Sequence, residues 1–150
     1  MLEMRRSRDS SAPPAQVFAV ATDLRNAVGR VRVITKLDVS TPGPVGNGTR
    51  FRETCRMFGR EATEEMEITA FDPLRFFTME CANHCCHHTS AFRFAPHGAG
   101  TEMEIRFQAR PREFGAKWMG ILIRPPAKKR VASCSQDLED IARVAEGQAG

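Results

Sequence analysis

Between Thr49 and Arg110 the chain alternates apolar and polar residues almost without a break. A period of two sends successive side chains to opposite faces of a strand, whereas a helix needs three- and four-residue spacing. This stretch is therefore a run of half-buried antiparallel strands. In Phe51-Arg-Glu-Thr-Cys-Arg-Met57 the odd positions are mostly apolar, and in Ala62-Thr-Glu-Glu-Met-Glu-Ile-Thr-Ala70 the even ones take that role. Gly59-Arg60 reads as the turn between them, glycine supplying the positive φ of a tight hairpin. That turn pairs Met57 with Ala62, Cys55 with Glu64, Glu53 with Met66 and Phe51 with Ile68. It also sets Arg52 against Glu67 on the other face. Phe71-Asp-Pro73 closes the strand, and Arg75 to Cys81 and Cys85 to Phe94 are the next two. In Thr101 to Ala109, Met103, Ile105 and Phe107 share one face, and Glu102, Glu104 and Arg106 the other. Placing Phe94 opposite Met103 puts Phe92 opposite Ile105.

The flanks have a different period. Leu2 to Ser7 reads as a short strand, and Pro13-Pro14 suits the first turn of a helix. Val17, Phe18, Ala21 and Leu24 follow at helical spacing, and this helix breaks around Asn26 to Gly29. Val31 to Ser40 is a strand. Thr41 to Gly48 is a glycine- and proline-rich loop. It is not a phosphate cradle, because a strand and not a helix N-terminus follows it. At the far end Phe114, Trp118, Ile121 and Leu122 share a helical face, Pro125-Pro126 interrupts or kinks it, and Val131, Cys134, Leu138, Ile141 and Ala145 continue it. The implied fold is α+β: a curved antiparallel sheet of about seven strands, two short helices after the first strand, and a long amphipathic C-terminal helix on the concave face.

The totals exclude several functions. At 150 residues the chain forms one domain, spanning 1–150. Twenty-two basic residues against eighteen acidic give +4. The basic clusters Arg5-Arg6-Arg8 and Lys128-Lys129-Arg130 lack interleaved aromatics, and there is no tyrosine, so no nucleic-acid partner is expected. The longest apolar run, near Trp118 to Ile123, is too short to span a membrane. The N-terminus has no apolar core of signal-peptide length, and the five cysteines lack the spacing of a secreted framework. A cytoplasmic protein with reduced thiols is expected. No cofactor is called for, and homo-oligomerisation is left open.

Several stretches resemble the SRPBCC superfamily, the START and Bet v 1-like helix-grip domains, and within it the bacterial polyketide cyclase/dehydrase-like proteins. They are SAPPAQVFAVATDLRNA (11 to 27), VGNGTRFRET (45 to 54), EATEEMEITAFDPLRFFTME (61 to 80), SAFRF (90 to 94) and DLED (137 to 140). The resemblance covers nearly the whole chain and is specific for fold; it supplies no reaction, because the superfamily has no universal catalytic motif. It implies a cavity between sheet and long helix that holds a small hydrophobic, lipid- or polyketide-like molecule, with cyclisation or dehydration in some members. The chain departs from the pattern in three places. Arg30 stands where relatives often carry an aromatic residue. Arg6, Arg8 and Ser10 share the parity of Leu2 and Met4, so either the strand frays early or basic side chains approach the cavity. Pro125-Pro126 would bend the helix over the pocket.

The inner face then supplies the candidate residues. Phe51, Met57, Met66, Phe77, Met79 and Phe92 are ligand-lining candidates from the first strands. Met103, Ile105 and Phe107 follow from the last strand, with Ile68 and Phe94 as neighbours, and Trp118 and Leu122 from the helix. Methionine and phenylalanine suit an adaptable pocket, although a plain core needs the same residues. Glu53 and Glu64 fall on this face, one diagonal step apart. A carboxylate facing an apolar cavity costs several kcal/mol if ionised and unpaired. The pair is therefore either an acid/base couple, with one pKa raised by burial and its neighbour, or a polar patch neutralised by Arg6 or Arg8.

Cys81-Ala-Asn-His-Cys-Cys-His-His88 gathers three cysteines and three histidines. A two-residue Asn83-His84 turn sets Cys81 against Cys86 and Met79 against His88 on the inner face. Glu80 then faces His87, and Ala82 faces Cys85, on the outer one. Cys81, Cys86 and His88 are the set a metal would use, three ligands with an open fourth position. Against this, the spacing is not that of a zinc site and no second knuckle exists. A Cys81–Cys86 disulfide would be strained. The cluster reads instead as a hairpin at the cavity rim, where His88 touches ligand.

Overall fold

The computed structural model describes residues 2–57, 59–82, 86–111 and 126–149. The expectations for Trp118 and Leu122 lie outside these residues. In chain order the elements are β1 (Leu2–Ser10), α1 (Pro14–Thr22), a 3-10 turn (Leu24–Asn26), β2 (Ile34–Val39), β3 (Arg50–Met57), β4 (Arg60–Asp72), β5 (Phe76–Ala82), β6 (Cys86–His97), β7 (Gly100–Pro111) and α2 (Pro126–Ala149). The strands form one sheet in the order β1-β7-β6-β5-β4-β3-β2, antiparallel at every pairing. The expected α+β class, seven strands and gripping helix are all present. Among the described residues, no helix is long and apolar enough to cross a membrane.

Prolines 13 and 14 set the start of α1, with Pro13 at the N-cap in extended backbone. The helix buries Val17, Phe18 and Val20. The Phe18 ring meets Phe94, Phe71 and Phe77 edge-on, at centroid distances of 5.3, 5.4 and 6.0 Å, while Phe77 and Phe92 stack at 4.8 Å. These rings join Met103, Ile105 and Phe107 from β7 and Leu138, Ile141, Ala142 and Ala145 from α2 in the main core. Leu24, Phe51 and Ile68 form a smaller cluster at the β2–β4 end, with Leu37, Met66 and Phe71 packed against it.

β1 does not fray at Ser7; it pairs with β7 through Ser10, matching Met4 to Phe107, Arg6 to Ile105 and Arg8 to Met103. The polar residues on its inner parity are explained by α2. Arg8 Nε lies 2.6 Å from Glu139 Oε2, and Ser10 Oγ donates to Glu146 Oε2 at 2.9 Å. Arg8 is thus taken up by the helix rather than by the cavity, while Arg6 is exposed.

Two hairpin registers differ from expectation. The β3–β4 ladder closes at Met57↔Arg60, so Glu53 stands directly opposite Glu64, Cys55 opposite Ala62 and Phe51 opposite Met66. The last pair thus stands one residue earlier than a Gly59-Arg60 turn would place it, with no change in turn length, and Gly59 has φ 73°. The β5–β6 hairpin is looser than a two-residue turn, so Cys81 faces His88 and Met79 faces Ser90. Parity is unchanged in both cases, because a two-residue shift returns each side chain to its own face. The β6–β7 register is as expected, with Phe94↔Met103 and Phe92↔Ile105. In the glycine-rich loop before β3, the Gly48 amide donates to the Ile68 carbonyl (2.7 Å), and the Gly46 amide to Thr49 Oγ1 (2.9 Å).

Candidate functional site

A cavity of about 70 Å³ lies where the end of α1 and the 3-10 turn cross the sheet beneath α2. Its apolar wall comes from Leu24, Ile34 and Leu37 on one side and Phe77, Met79 and Phe92 on the sheet. Among the described residues, Val20, Ala21, Ala27 and Val31 also line it, with Ile141 from α2. The polar lining among the described residues is Arg30, Glu53, Asp137 and Asp140. The cavity falls between the main core and the smaller cluster, where the sheet's inner face changes partner from α2 to the 3-10 turn.

Asp140 has no exposed side-chain surface. An ionised carboxylate at such depth must be paired and hydrogen-bonded, and this one is. Its Oδ2 accepts the Arg32 main-chain N–H at 2.9 Å. Its Oδ1 accepts Arg32 Nε at 2.9 Å and Gln136 Nε2 at 3.0 Å, and lies 2.8 Å from Arg32 Nη2. Arg143 Nη2 reaches the Arg30 carbonyl at 3.3 Å. The segment between the 3-10 turn and β2, one wall of the cavity, is thereby tied to α2. Arg30 itself points back along the chain, its Nη1 3.0 Å from Asp23 Oδ2.

Glu53 is half-buried on β3, its Oε1 accepting the Cys55 thiol at 2.9 Å. Its cross-strand neighbour Glu64 is also half-buried but is not part of the cavity lining. The two carboxylates therefore share a register position, and one of them borders the cavity.

Among the sequence-derived lining candidates, Phe77, Met79 and Phe92 border the cavity. Phe51 and Met66 sit in the adjoining cluster, and Met103, Ile105 and Phe107 in the main core. Met57 is placed by backbone register only. Cys81 is buried and pairs with His88, whose ring stands edge-on to Phe107 at 5.6 Å. Cys86 pairs with Pro111 on β7; its side chain is outside the described part. Two of the three inner ligand candidates are therefore juxtaposed, and among the described residues no group of three is arranged to hold a metal. On the outer face Glu80 and His87 do meet, Nε2 to Oε1 at 2.8 Å, although they stand diagonally in the ladder.

Sequence reasoning missed Arg30 as a lining residue, and Asp137 and Asp140 altogether as functional groups. The available signal was DLED itself. Asp137 immediately precedes Leu138 and Asp140 immediately precedes Ile141, so both sit beside the buried stripe of α2 and not opposite it.

Residues 1–146 match the family model described as "Polyketide cyclase / dehydrase and lipid transport". No curated protein matches the chain in sequence. Among solved structures, TTHA0849 of Thermus thermophilus superposes with a TM-score of 0.82 at 19% identity, covering 99% of this chain and all of that one (100%). The Zhui aromatase/cyclase from Streptomyces sp. R1128 gives 0.79 at 13% identity, covering 99% and 96%. The di-domain ARO/CYC StfQ from the steffimycin biosynthetic pathway gives 0.81 at 14%, covering 99% of this chain and 51% of that one.

Proposed function

The chain belongs to the polyketide cyclase/dehydrase and lipid transport family, and we propose that it binds a small hydrophobic, lipid- or polyketide-like molecule in the cavity beneath α2. The observation that carries this reading is the partly open cavity itself, floored by Phe77, Met79 and Phe92 and edged by charged groups. An apolar interior with a few convergent polar side chains is the common form of a small-molecule site. At about 70 Å³ the space is far below the roughly 300 Å³ of a drug-sized site, so a larger ligand extends beyond it or displaces a wall. Native mass spectrometry of the purified full chain, before and after denaturation, tests the reading. An apolar molecule released on denaturation supports it. A preparation stripped of ligand that then takes up no neutral apolar probe overturns it.

A second reading, a cyclase or dehydratase, is favoured by the placement of Glu53 on the cavity with Glu64 directly opposite. Glu53 would exchange a proton with a carbonyl or hydroxyl of the ligand, with Glu64 as its cross-strand neighbour. With an aromatic polyketide precursor as substrate, Glu53→Gln is expected to abolish turnover while binding persists. Full turnover in both Glu53→Gln and Glu64→Gln would sink this reading and leave binding intact.

A further inference from the structure

Asp140 lines the cavity and has no exposed side-chain surface, yet the guanidinium paired with it belongs to a side chain that is 59% exposed. At this point the boundary between cavity and solvent is one ion pair thick. The pair lies on the seam between α2 and the segment that joins the 3-10 turn to β2. Ala27, Arg30, Val31 and Ile34 line the cavity from the segment side of the seam, and Asp140 and Ile141 from α2.

The walls differ in how they are held. Phe77, Met79 and Phe92 stand on strands inside the hydrogen-bonded sheet, and α2 is fastened to β1 through Arg8 and Ser10. The segment has only local turns. The Arg30 and Val31 N–H groups donate to the Ala27 carbonyl, and the Ile34 N–H to the Val31 carbonyl. Among the described residues, its bonds to α2 are those of Arg32 to Asp140 and of Arg143 to the Arg30 carbonyl. Gly29, at φ +89° with open space around it, begins the segment, and the register shift between Ile34 and Lys36 ends it. A chain bends readily at both kinds of place. Opening the seam hydrates Asp140 and Arg32 together, so neither charge is left buried and unpaired.

Resting on the ligand-binding reading above, we infer that the ligand enters through this seam and that the Arg32–Asp140 pair is its latch. The segment from Gly29 to Val33 swings away from α2, and the cavity widens on that side while the sheet stays intact.

Stopped-flow fluorescence of the neutral dye Nile red mixed with the full chain tests this. Arg32→Ala is expected to quicken both uptake and release by about fivefold or more. Arg143→Ala, which removes a side chain that is 54% exposed, should quicken both by about twofold or more, and decides the matter if Arg32→Ala does not fold. Arg8→Ala loosens α2 on its β1 side, away from the seam, and should leave both rates as in the wild type. Uptake unmoved in the folded seam variants overturns the inference. So does equal quickening by Arg8→Ala, which would mean general loosening. Faster release with unmoved uptake would mean a weakened site and no entrance here. Amide hydrogen exchange of the wild type gives an answer that needs no variant. The Arg32 amide, bonded to Asp140, should exchange about a hundredfold faster or more than the Phe94 amide, bonded to the Arg75 carbonyl. Equal protection of the two would mean that the seam opens only on global unfolding, which overturns the inference. If Nile red fails to bind, the ligand-binding reading falls, and the entrance falls with it. Dye binding with unmoved rates removes the entrance alone.

Discussion

Arg32 approaches Asp140 twice, through its main-chain N–H and through its guanidinium, and the two partners are buried to very different degrees. Asp140 has no exposed side-chain surface, whereas the Arg32 side chain is 59% exposed. Removing the aspartate releases a cation that water can solvate. Removing the arginine leaves a buried carboxylate with the main-chain N–H of residue 32, Gln136 and a more distant Arg143 at 3.9 Å. The asymmetry of a buried pair predicts that Arg32→Ala destabilises by about 3 kcal/mol and Asp140→Asn by about 1–2 kcal/mol. Urea unfolding of both variants checks this; equal or inverted costs would show that the exposed end carries the energy. Because the same contact ties down a cavity wall, both variants should also take up Nile red faster than wild type.

Gly100 is packed against the end of β1. A Cβ built on it would lie 2.1 Å from the Ser10 carbonyl oxygen, a backbone atom that cannot rotate aside. Thr101 Oγ1 donates to the Ala12 carbonyl at 2.8 Å, so this corner is fixed from both sides. Gly100→Ala should cost about 3 kcal/mol by overpacking, lowering Tm by roughly 10 °C. The comparison is Gly98, which has open space but φ of +59°; Gly98→Ala should cost only about 1 kcal/mol of backbone strain. Equal Tm shifts in the two variants would show that the Ser10 contact yields easily.

The Arg106 side chain, hydrogen-bonded to Glu3, holds the Glu3 carboxyl below the usual carboxylate range, with Gln108 adding a second bond. A folded-state pKa below the unfolded one means that Glu3 favours the folded chain above the unfolded value. That contribution disappears as pH falls through the folded value. NMR titration should find the Glu3 midpoint at the acid end of the glutamates, moving toward the ordinary value in Arg106→Ala. An unmoved midpoint in that variant would rule out Arg106 as the main cause.

Inner and outer faces were legible from the alternation at residues 51–57 and 62–68, but register shifts at Ile34/Lys36 and Ile68/Ala70 break the parity of β2 and β4, so that Leu37 and Phe71 come to the inner side. Cross-strand partners were not legible, because register is set by turns whose position and length the flanking residues do not encode. Glu53 consequently gained Glu64 as its opposite, and Cys81 gained His88. β6–β7 was read correctly because Pro96-His-Gly-Ala-Gly100 announces its turn. The role of Asp140 was hidden for another reason. Its partner is 108 positions away, and an aspartate next to a buried helical stripe reads as solvated surface until the partner arrives. Arg8 illustrates the same blindness from the opposite end, a cation on the inner parity of a strand that only the helix explains.

The seating of α2 on β1 through Arg8 yields the last prediction. Arg8 Nε is 2.6 Å from Glu139 Oε2, its Nη1 is 3.7 Å from Glu146 Oε2, and Ser10 donates to the same Glu146 carboxylate. One guanidinium thus bridges residues 139 and 146, two turns apart on the helix, which constrains its rotation against the edge strand. These groups are partly exposed, so each bond is weak and screened by salt. A double-mutant cycle on Arg8→Ala and Glu139→Ala should give a coupling of about 0.5–1 kcal/mol in low salt, falling by more than half in 1 M NaCl. Coupling that is independent of salt would mean that packing of the arginine stem against α2, rather than charge, holds the helix in place.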